Sequence, residues 1–209
     1  MRPIIVFDSG IGGFSIYRPL KLALPHDPIF YYADSANFPY GNKTPDFLRK
    51  RLTAVAKEFA PLTPRAVIIA CNTATVNALD IFRTELNCPV IGVEPVIKPL
   101  AKYVSSLALM TSSSAHSSQT KILLDKYGKH VNIFTPSGLA EAIEYNDVTQ
   151  VKKSLSQIAR IIKRKQIEAV GLSCTHYPLI LPELRRRFPD ITFIDPSIAV
   201  VKQVLRVLR

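Results

Sequence analysis

Twice in this chain a short apolar run that reads as a strand is followed by a cysteine and small polar groups. Ala66-Val67-Ile68-Ile69-Ala70 leads into Cys71-Asn72-Thr73-Ala74-Thr75. Ile167-Glu168-Ala169-Val170 leads into Gly171–Leu179, GLSCTHYPL. Runs of four or five apolar residues suit strands buried on both faces, which is the pattern of a parallel sheet covered by helices. Pro178 and Pro182 then punctuate the chain before a basic helix that begins around Glu183. In open α/β folds ligands bind outside the carboxyl ends of the strands. Each junction therefore puts a thiol, with hydroxyls and in one case an imidazole, where such a fold binds its ligand. A cysteine taken alone reads as a small buried hydrophobe; the repeated context points to a paired role.

The rest of the first half follows the same plan. Pro3–Phe7 reads as a buried strand, and Asp8-Ser9-Gly10-Ile11-Gly12-Gly13 is a glycine turn at its end. A helix over Phe14–Leu24, kinked or restarted at Pro19, comes next. The turn matches neither G-x-G-x-x-G nor G-x-x-x-x-G-K-[ST], which weakens a nucleotide reading. Asp8 puts a carboxylate at a strand end, facing the crevice. Pro28–Tyr32 is a strand, and Asn37–Asn42 a loop by its turn residues. Phe47–Ala60 is a helix, Thr73–Leu86 another, and Pro89–Val93 the fourth strand. This βαβαβαβ order predicts a parallel sheet with helices on both faces.

Glu94–Pro99 reads as a crossover into a second unit of the same kind, with a helix to about Tyr103. Strands are expected at Leu107–Met110, Val131–Phe134, at the apolar run before Gly171, and at Ile191–Ile194. Thr111–Ser118 is a polar loop suited to a carboxylate-binding rim or a helix cap. Helices are expected at Thr120–Lys126, Leu139–Tyr145, Val148–Lys165 and Ile198–Leu208.

At 209 residues, 47% hydrophobic and 21% charged, the chain can bury one large core or two small ones and is not a candidate for disorder. No apolar run approaches the roughly 18 residues that span a bilayer, and Met1–Phe7 is too short for a secretory signal. The expectation is a soluble, cytoplasmic protein. Three widely spaced cysteines form neither a disulfide framework nor a zinc pattern, and in a reducing compartment they stay thiols. The net charge is +11, and Lys152–Arg209 alone carries 12 Lys or Arg against 4 acids. No helix-turn-helix or aromatic-stacking pattern accompanies that surplus. It reads first as a solvated basic face, and such a field also draws in an anionic small substrate.

Two cysteines at two strand ends leave three chemical readings open. One is a cysteine nucleophile with His176 as base, although chain neighbours rarely aim at each other. A metal site is a second, with poor Cys-Thr-His spacing. The third is a pair of proton-transfer groups on opposite faces of one carbon, as inversion at a carbon acid requires. Asp8 near one thiol and His176 near the other would be their natural partners.

DSGIGG, NFPYG, ACNTAT, GVEP and CTHYPL, in this order and spacing, resemble the glutamate racemases of the aspartate/glutamate racemase superfamily, over nearly the whole chain. The resemblance implies two flavodoxin-like parallel-sheet domains facing each other across an active-site cleft. They would comprise residues 1–94 plus about 196–209, and about 95–195. It implies racemisation of glutamate without pyridoxal phosphate or a metal, with the D-isomer supplied to peptidoglycan. Cys71 and Cys174 match the catalytic cysteines, with Asp8 and His176 beside them. Asp8, Ser9, Pro39, Tyr40, Gly41, Asn72, Thr73, Thr175 and His176 match substrate-binding positions, and Ser114 stands where a threonine is usual. Glu144 matches an acid of the second domain, in a TPSGLAEAIE context that differs from the usual one. Ser173 replaces a glycine, which is expected to crowd the pocket. Cys88, outside both motifs, reads as a structural thiol. Family members continue for roughly another strand and helix past the position of Arg209, which bears on the stability of the first domain.

Aspartate racemases share the cysteine chemistry, but their second cysteine is usually followed by Thr and an acid, whereas Cys174-Thr175 leads into His176-Tyr177-Pro178; that favours glutamate. A reading of another class is a regulatory protein binding gyrase or nucleic acid through the basic C-terminal part. A homodimer is left open; no membrane partner is expected.

Overall fold

Alternation along the first strand explains how the first half packs. In the computed structural model, which describes residues 2–208, β1 (Ile4–Asp8) is buried along its whole length. It pairs in parallel with β2 (Ile29–Ala33) and with β3 (Ala66–Ile69). Ile5 and Phe7 point to one face, where they meet α2 (Pro45–Phe59) and α3 (Asn72–Glu85) through Leu48, Leu52, Phe59 and Phe82. Ile4 and Val6 point to the other face, against α1 (Phe14–Ala23) through Ile16 and Leu20. β4 (Val90–Gly92) completes a four-stranded sheet of order β2-β1-β3-β4. Helix α2 begins where Thr44 caps it, its Oγ1 accepting from Phe47 N at 3.3 Å, with Pro45 in the first turn, where its missing N–H costs nothing.

The second half repeats the scheme. After α4 (Ile97–Leu100) come β5 (Ser106–Met110), α5 (Ser112–Ala115), α6 (Ser118–Tyr127), β6 (Asn132–Phe134), α7 (Leu139–Glu144), α8 (Val148–Lys165), β7 (Ala169–Ser173), α9 (Leu181–Arg187) and β8 (Thr192–Ile194). The sheet order is β6-β5-β7-β8, all parallel. Leu107 and Leu109 meet α7, α8 and α9, while Ala108 and Met110 meet α4 and α6. Val151, Leu155, Ile158 and Ile162 form the buried stripe of α8, spaced as one helical face requires. Asp147 caps that helix, accepting from Gln150 N at 3.0 Å. The last helix, α10 (Ser197–Val207), returns to the first half and packs Val200, Val201 and Val204 into the core shared with α1 and β1. The fold is thus α/β, with two parallel four-stranded sheets flanked by helices. Among the described residues no helix is long and apolar enough to cross a membrane. Met1 and Arg209, the outer limits of the expected first domain, lie outside the described residues.

Three local expectations are corrected. The strand expected to end at Val170 runs on through Gly171 to Ser173. Gly171 is not a turn residue here. A side chain there would collide with Val96 and with Leu100 Cδ1, 2.7 Å from an added Cβ, so glycine lets α4 lie directly on the sheet. The polar stretch after β5 is not all loop, because Thr111 caps the short helix α5, its Oγ1 accepting from Ser114 N at 3.4 Å. Helix α1 runs through Pro19 as one element rather than restarting there.

Candidate active site

The two sheets carry the two cysteines at equivalent places. Cys71 follows β3 and Cys174 follows β7, and each of these strands is third in its sheet order. Both residues line one cavity of about 390 Å³. Each is only 6% exposed, so the thiols meet the cavity rather than bulk water.

Cys71 is the N-cap of α3, and its Sγ accepts from Ala74 N at 3.5 Å and lies 3.7 Å from Ser9 Oγ. Burial, and then the nearby Asp8 carboxylate, push this thiol well above its ordinary range, against the opposing pull of the Ala74 N–H. Asp8 is fully buried behind Ser9. Its carboxylate accepts from Gly10 N at 3.0 Å and from Thr175 Oγ1 at 2.9 Å, the latter tying the first half to the second. Burial raises the Asp8 carboxyl; His176, the Gly10 N–H and the Thr175 hydroxyl oppose that rise without cancelling it.

Cys174 Sγ lies 3.9 Å from His176 Nδ1, and His176 Nε2 lies 2.7 Å from Glu144 Oε2. Burial works against the imidazolium, but Cys174 and Glu144 outweigh it and raise His176 from 6.5 to about 10. Burial likewise raises Glu144, yet the bonds from His176 and from Ile11 N (2.8 Å) hold its carboxyl below the ordinary value. Both shifts favour the charged pair. Glu144, which sequence matching located without a task, therefore clamps His176 to the glycine turn of the opposite half. The turn must be glycine at this approach: a Cβ on Gly12 would sit 2.5 Å from both His176 Nδ1 and Thr175 Oγ1. Gly12→Ala should therefore lower activity at least about tenfold and stability by about 1–3 kcal/mol. Paired kinetic and urea-melt measurements would show both, and wild-type behaviour in each would contradict the close packing.

The loop bearing Pro39, Tyr40 and Gly41 lines the cavity, with the Tyr40 ring turned into the core of the first half. Tyr40 Oη donates to Asp34 Oδ2 at 2.5 Å, and Arg51 binds the same carboxylate with Nε and Nη2 at 3.0 and 2.9 Å. Asn72 and Thr73 line the wall at the start of α3. Asn72 Nδ2 donates to Val93 O at 2.9 Å, which leaves its buried Oδ1 without a partner. Ser9, Thr175 and His176 also line the cavity.

Ser114 does not: it is fully buried behind the wall, 3.2 Å from Thr73 Oγ1, and Thr111 and Ser112 stand at the surface instead. Ser173 is not in the cavity either. It is fully buried and its Oγ accepts from Val96 N at 3.0 Å, so the expected crowding is absent. Ser173→Gly should cost about 1–3 kcal/mol, by orphaning that N–H, and leave substrate affinity unchanged; denaturation and KM together check this. Sequence reading missed Thr135, Pro136, Ser137 and Gly138, which form the far wall with Glu141. Their only signal was a Pro-Ser-Gly turn after a strand. Cys88 is half-buried against the first core, away from the cavity. Among the described residues no group of three or more His, Cys, Asp or Glu side chains is placed to hold a metal ion.

Two parallel sheets presenting equivalent strand-end cysteines to one cavity define a class that comparison identifies. The chain belongs to the Asp/Glu/Hydantoin racemase family, whose pattern matches residues 16–204, and it is an amino-acid racemase. Glutamate racemases are among its relatives in that family. The one from Pseudomonas syringae pv. tomato is 34% identical, over 99% of this chain and 78% of that protein. The crystal structure of Escherichia coli glutamate racemase with L-glutamate and the activator UDP-MurNAc-Ala superposes with a TM-score of 0.84. It is 30% identical over 100% of this chain and 83% of that one. Glutamate racemase from Francisella tularensis with D-glutamate gives 0.82, also at 30% identity, covering 99% of this chain and 81% of that one.

Proposed function

We propose that the protein interconverts L- and D-glutamate by a two-base mechanism in which Cys71 and Cys174 serve opposite faces of the α-carbon. The observation that carries this reading is the placement of both cysteines at equivalent strand ends on one cavity. One sulfur takes the α-proton as a thiolate while the other, as a thiol, returns a proton to the opposite face. The environments differ in a way that suits this division. Burial and Asp8 favour the protonated thiol at Cys71, whereas Cys174 Sγ has the His176 ring 3.9 Å away as its polar neighbour. With Cys174 as base and Cys71 as acid, one enantiomer is processed; after turnover the roles are reversed for the other.

The substrate's carboxylates would be held by the free N–H groups at the start of α3 around Asn72 and Thr73, the Pro39–Gly41 backbone, and the Ser9 and Thr175 hydroxyls. Asp8, Glu144 and Ser114 act behind the wall as positioning residues. The halves comprise residues 1–94 with 196–209, and 95–195, a division supported by the return of α10 onto α1. D-glutamate made this way would feed peptidoglycan synthesis.

Incubating the protein with L-glutamate and a thiol reductant should yield a racemic mixture, read by polarimetry or a D-amino-acid assay. Folded, reduced protein that forms no D-glutamate would defeat the proposal, and a clear preference for aspartate at equal concentration would reassign the substrate.

A further inference from the structure

Behind the glycine turn stands a tyrosine that does not line the cavity. Tyr31 of β2 pairs with Val6 of β1, and its ring lies on the α1 side of the first sheet. Phe14 stacks on that ring with centroids 4.3 Å apart, and Tyr17 meets it edge-on at 5.7 Å. These two rings fix where the phenol points. Tyr31 Oη donates to Gly10 O at 2.5 Å. Gly13 leaves room for it, since a Cβ there would sit 2.7 Å from the same phenol oxygen. Burial, with the Asp8 and Glu144 charges, pushes the phenol well above its ordinary range, so it keeps its proton and remains a donor.

The carbonyl of Gly10 and the N–H of Ile11 belong to one peptide unit. Such a unit is planar and trans, so its two polar groups point in opposite directions. Tyr31 holds the carbonyl side, and the N–H on the other side donates to Glu144 Oε2 at 2.8 Å. The same oxygen lies 2.7 Å from His176 Nε2, and His176 Nδ1 lies 3.9 Å from Cys174 Sγ. A hydrogen bond to a carbonyl also polarises its peptide and strengthens the N–H as a donor. The turn itself, Ser9-Gly10-Ile11-Gly12-Gly13, has little side-chain bulk to stop that peptide from rotating. One hydroxyl of the first sheet therefore sets the direction of the N–H that anchors an acid of the second half.

We propose that Tyr31 is a positioning residue for the reaction: by gripping the Gly10–Ile11 peptide it keeps Glu144, and through it His176, set against Cys174. The effect on catalysis rests on the two-thiol racemase reading; the grip on the peptide does not. A tyrosine that only filled the core would act through its ring, which phenylalanine retains. Tyr31→Phe therefore separates the two roles, because it removes the hydroxyl alone.

Amide hydrogen exchange of the full chain, followed by NMR on isoleucine-labelled protein, reads the grip. In Tyr31→Phe the Ile11 amide should exchange about tenfold faster or more, while the amides of Ile5 and Ile68 in the core strands keep their wild-type rates. An unchanged Ile11 amide, or equal acceleration of all three, overturns the grip. Steady-state kinetics with L-glutamate read the catalytic effect. In Tyr31→Phe kcat should fall about fivefold or more, with KM within about twofold of wild type. In a Glu144→Ala background the same substitution should lower kcat by less than about twofold, because the group it acts through is gone. Equal losses in both backgrounds, or a wild-type kcat in Tyr31→Phe, overturn the positioning role. Tyr17→Phe removes a hydroxyl from the neighbouring ring, outside this chain of bonds, and should match wild type. A loss there as large as in Tyr31→Phe also counts against the role. Protein that never racemises glutamate, yet whose Ile11 amide is freed in Tyr31→Phe, marks a failure of the racemase reading and not of the grip.

Discussion

Cys71→Ser and Cys174→Ser should each lower racemisation by about 10³-fold, because a serine hydroxyl is too weak an acid to supply the base form near neutral pH. Loss of rate alone would not distinguish acid–base catalysis from binding. The sharper expectation is that the two variants fail on opposite faces. Each keeps one thiol, so each should still exchange the α-proton of one enantiomer with deuterated solvent, or eliminate a β-leaving group from an analogue of that enantiomer. The enantiomer served should differ between them. Cys88→Ser, at a thiol packed on the first core away from the cavity, should match wild type. If Cys88→Ser abolishes turnover while either other variant keeps full activity, the two-base assignment is wrong. The same conclusion follows if both variants exchange the same enantiomer.

Glu144→Gln should move the alkaline limb of the kcat/KM profile to lower pH and lower activity near pH 8 by about 10²-fold. His176 is raised from 6.5 to about 10. A raised pKa in the folded state stabilises the fold fully below about 6.5, and that contribution is lost as pH climbs through 10. Glu144, held below its ordinary 4.5, contributes above that value and fails as pH falls through its lowered pKa. The pair is therefore strongest between these limits. Glutamine keeps the shape and a hydrogen bond but removes the negative charge that holds His176 protonated, so the imidazolium is lost earlier as pH rises. Glu144→Asp, which restores the charge, should recover part of the alkaline limb. A profile from pH 6 to 10.5 that is identical for wild type and Glu144→Gln would remove Glu144 from this role. Thermal melts over the same range should show the matching loss of pH-dependent stability.

Much of this protein was legible in its sequence because the information was local. Continuous apolar runs such as Ile4–Phe7 and Ala66–Ile69 need cover on both faces, which a parallel sheet between helices provides. The turn residues and polar clusters at their ends marked the strand termini, and with them Cys71, Cys174 and Asp8. The 18 residues of α8 could be bounded to the residue because its stripe of Val151, Leu155, Ile158 and Ile162 is unambiguous and a capping Asp precedes it. The apolar run alone ended the strand before Cys174 at Val170; the reason a glycine carries it onward, the close approach of α4, lies more than seventy residues earlier in the chain.

What the tertiary structure decided was everything that depends on two distant segments meeting. Local pattern says that Ser114 is polar and follows a strand, but only packing puts it behind the wall, with Thr111 and Ser112 at the surface. Ser173 reads as bulk next to a catalytic cysteine, yet strand alternation turns its hydroxyl away to the Val96 N–H. Glu144 is 133 residues from Ile11, and its carboxylate joins that backbone to His176. The shifts at Cys71, Asp8 and His176 follow from desolvation and from charges the fold places nearby, of which only Cys174 beside His176 is a chain neighbour. Sequence by itself determined which chemical groups stand at strand ends; the closing of two sheets on one cavity decided which of them touch it and in what state of charge, because burial and electrostatic fields are sums over the whole molecule.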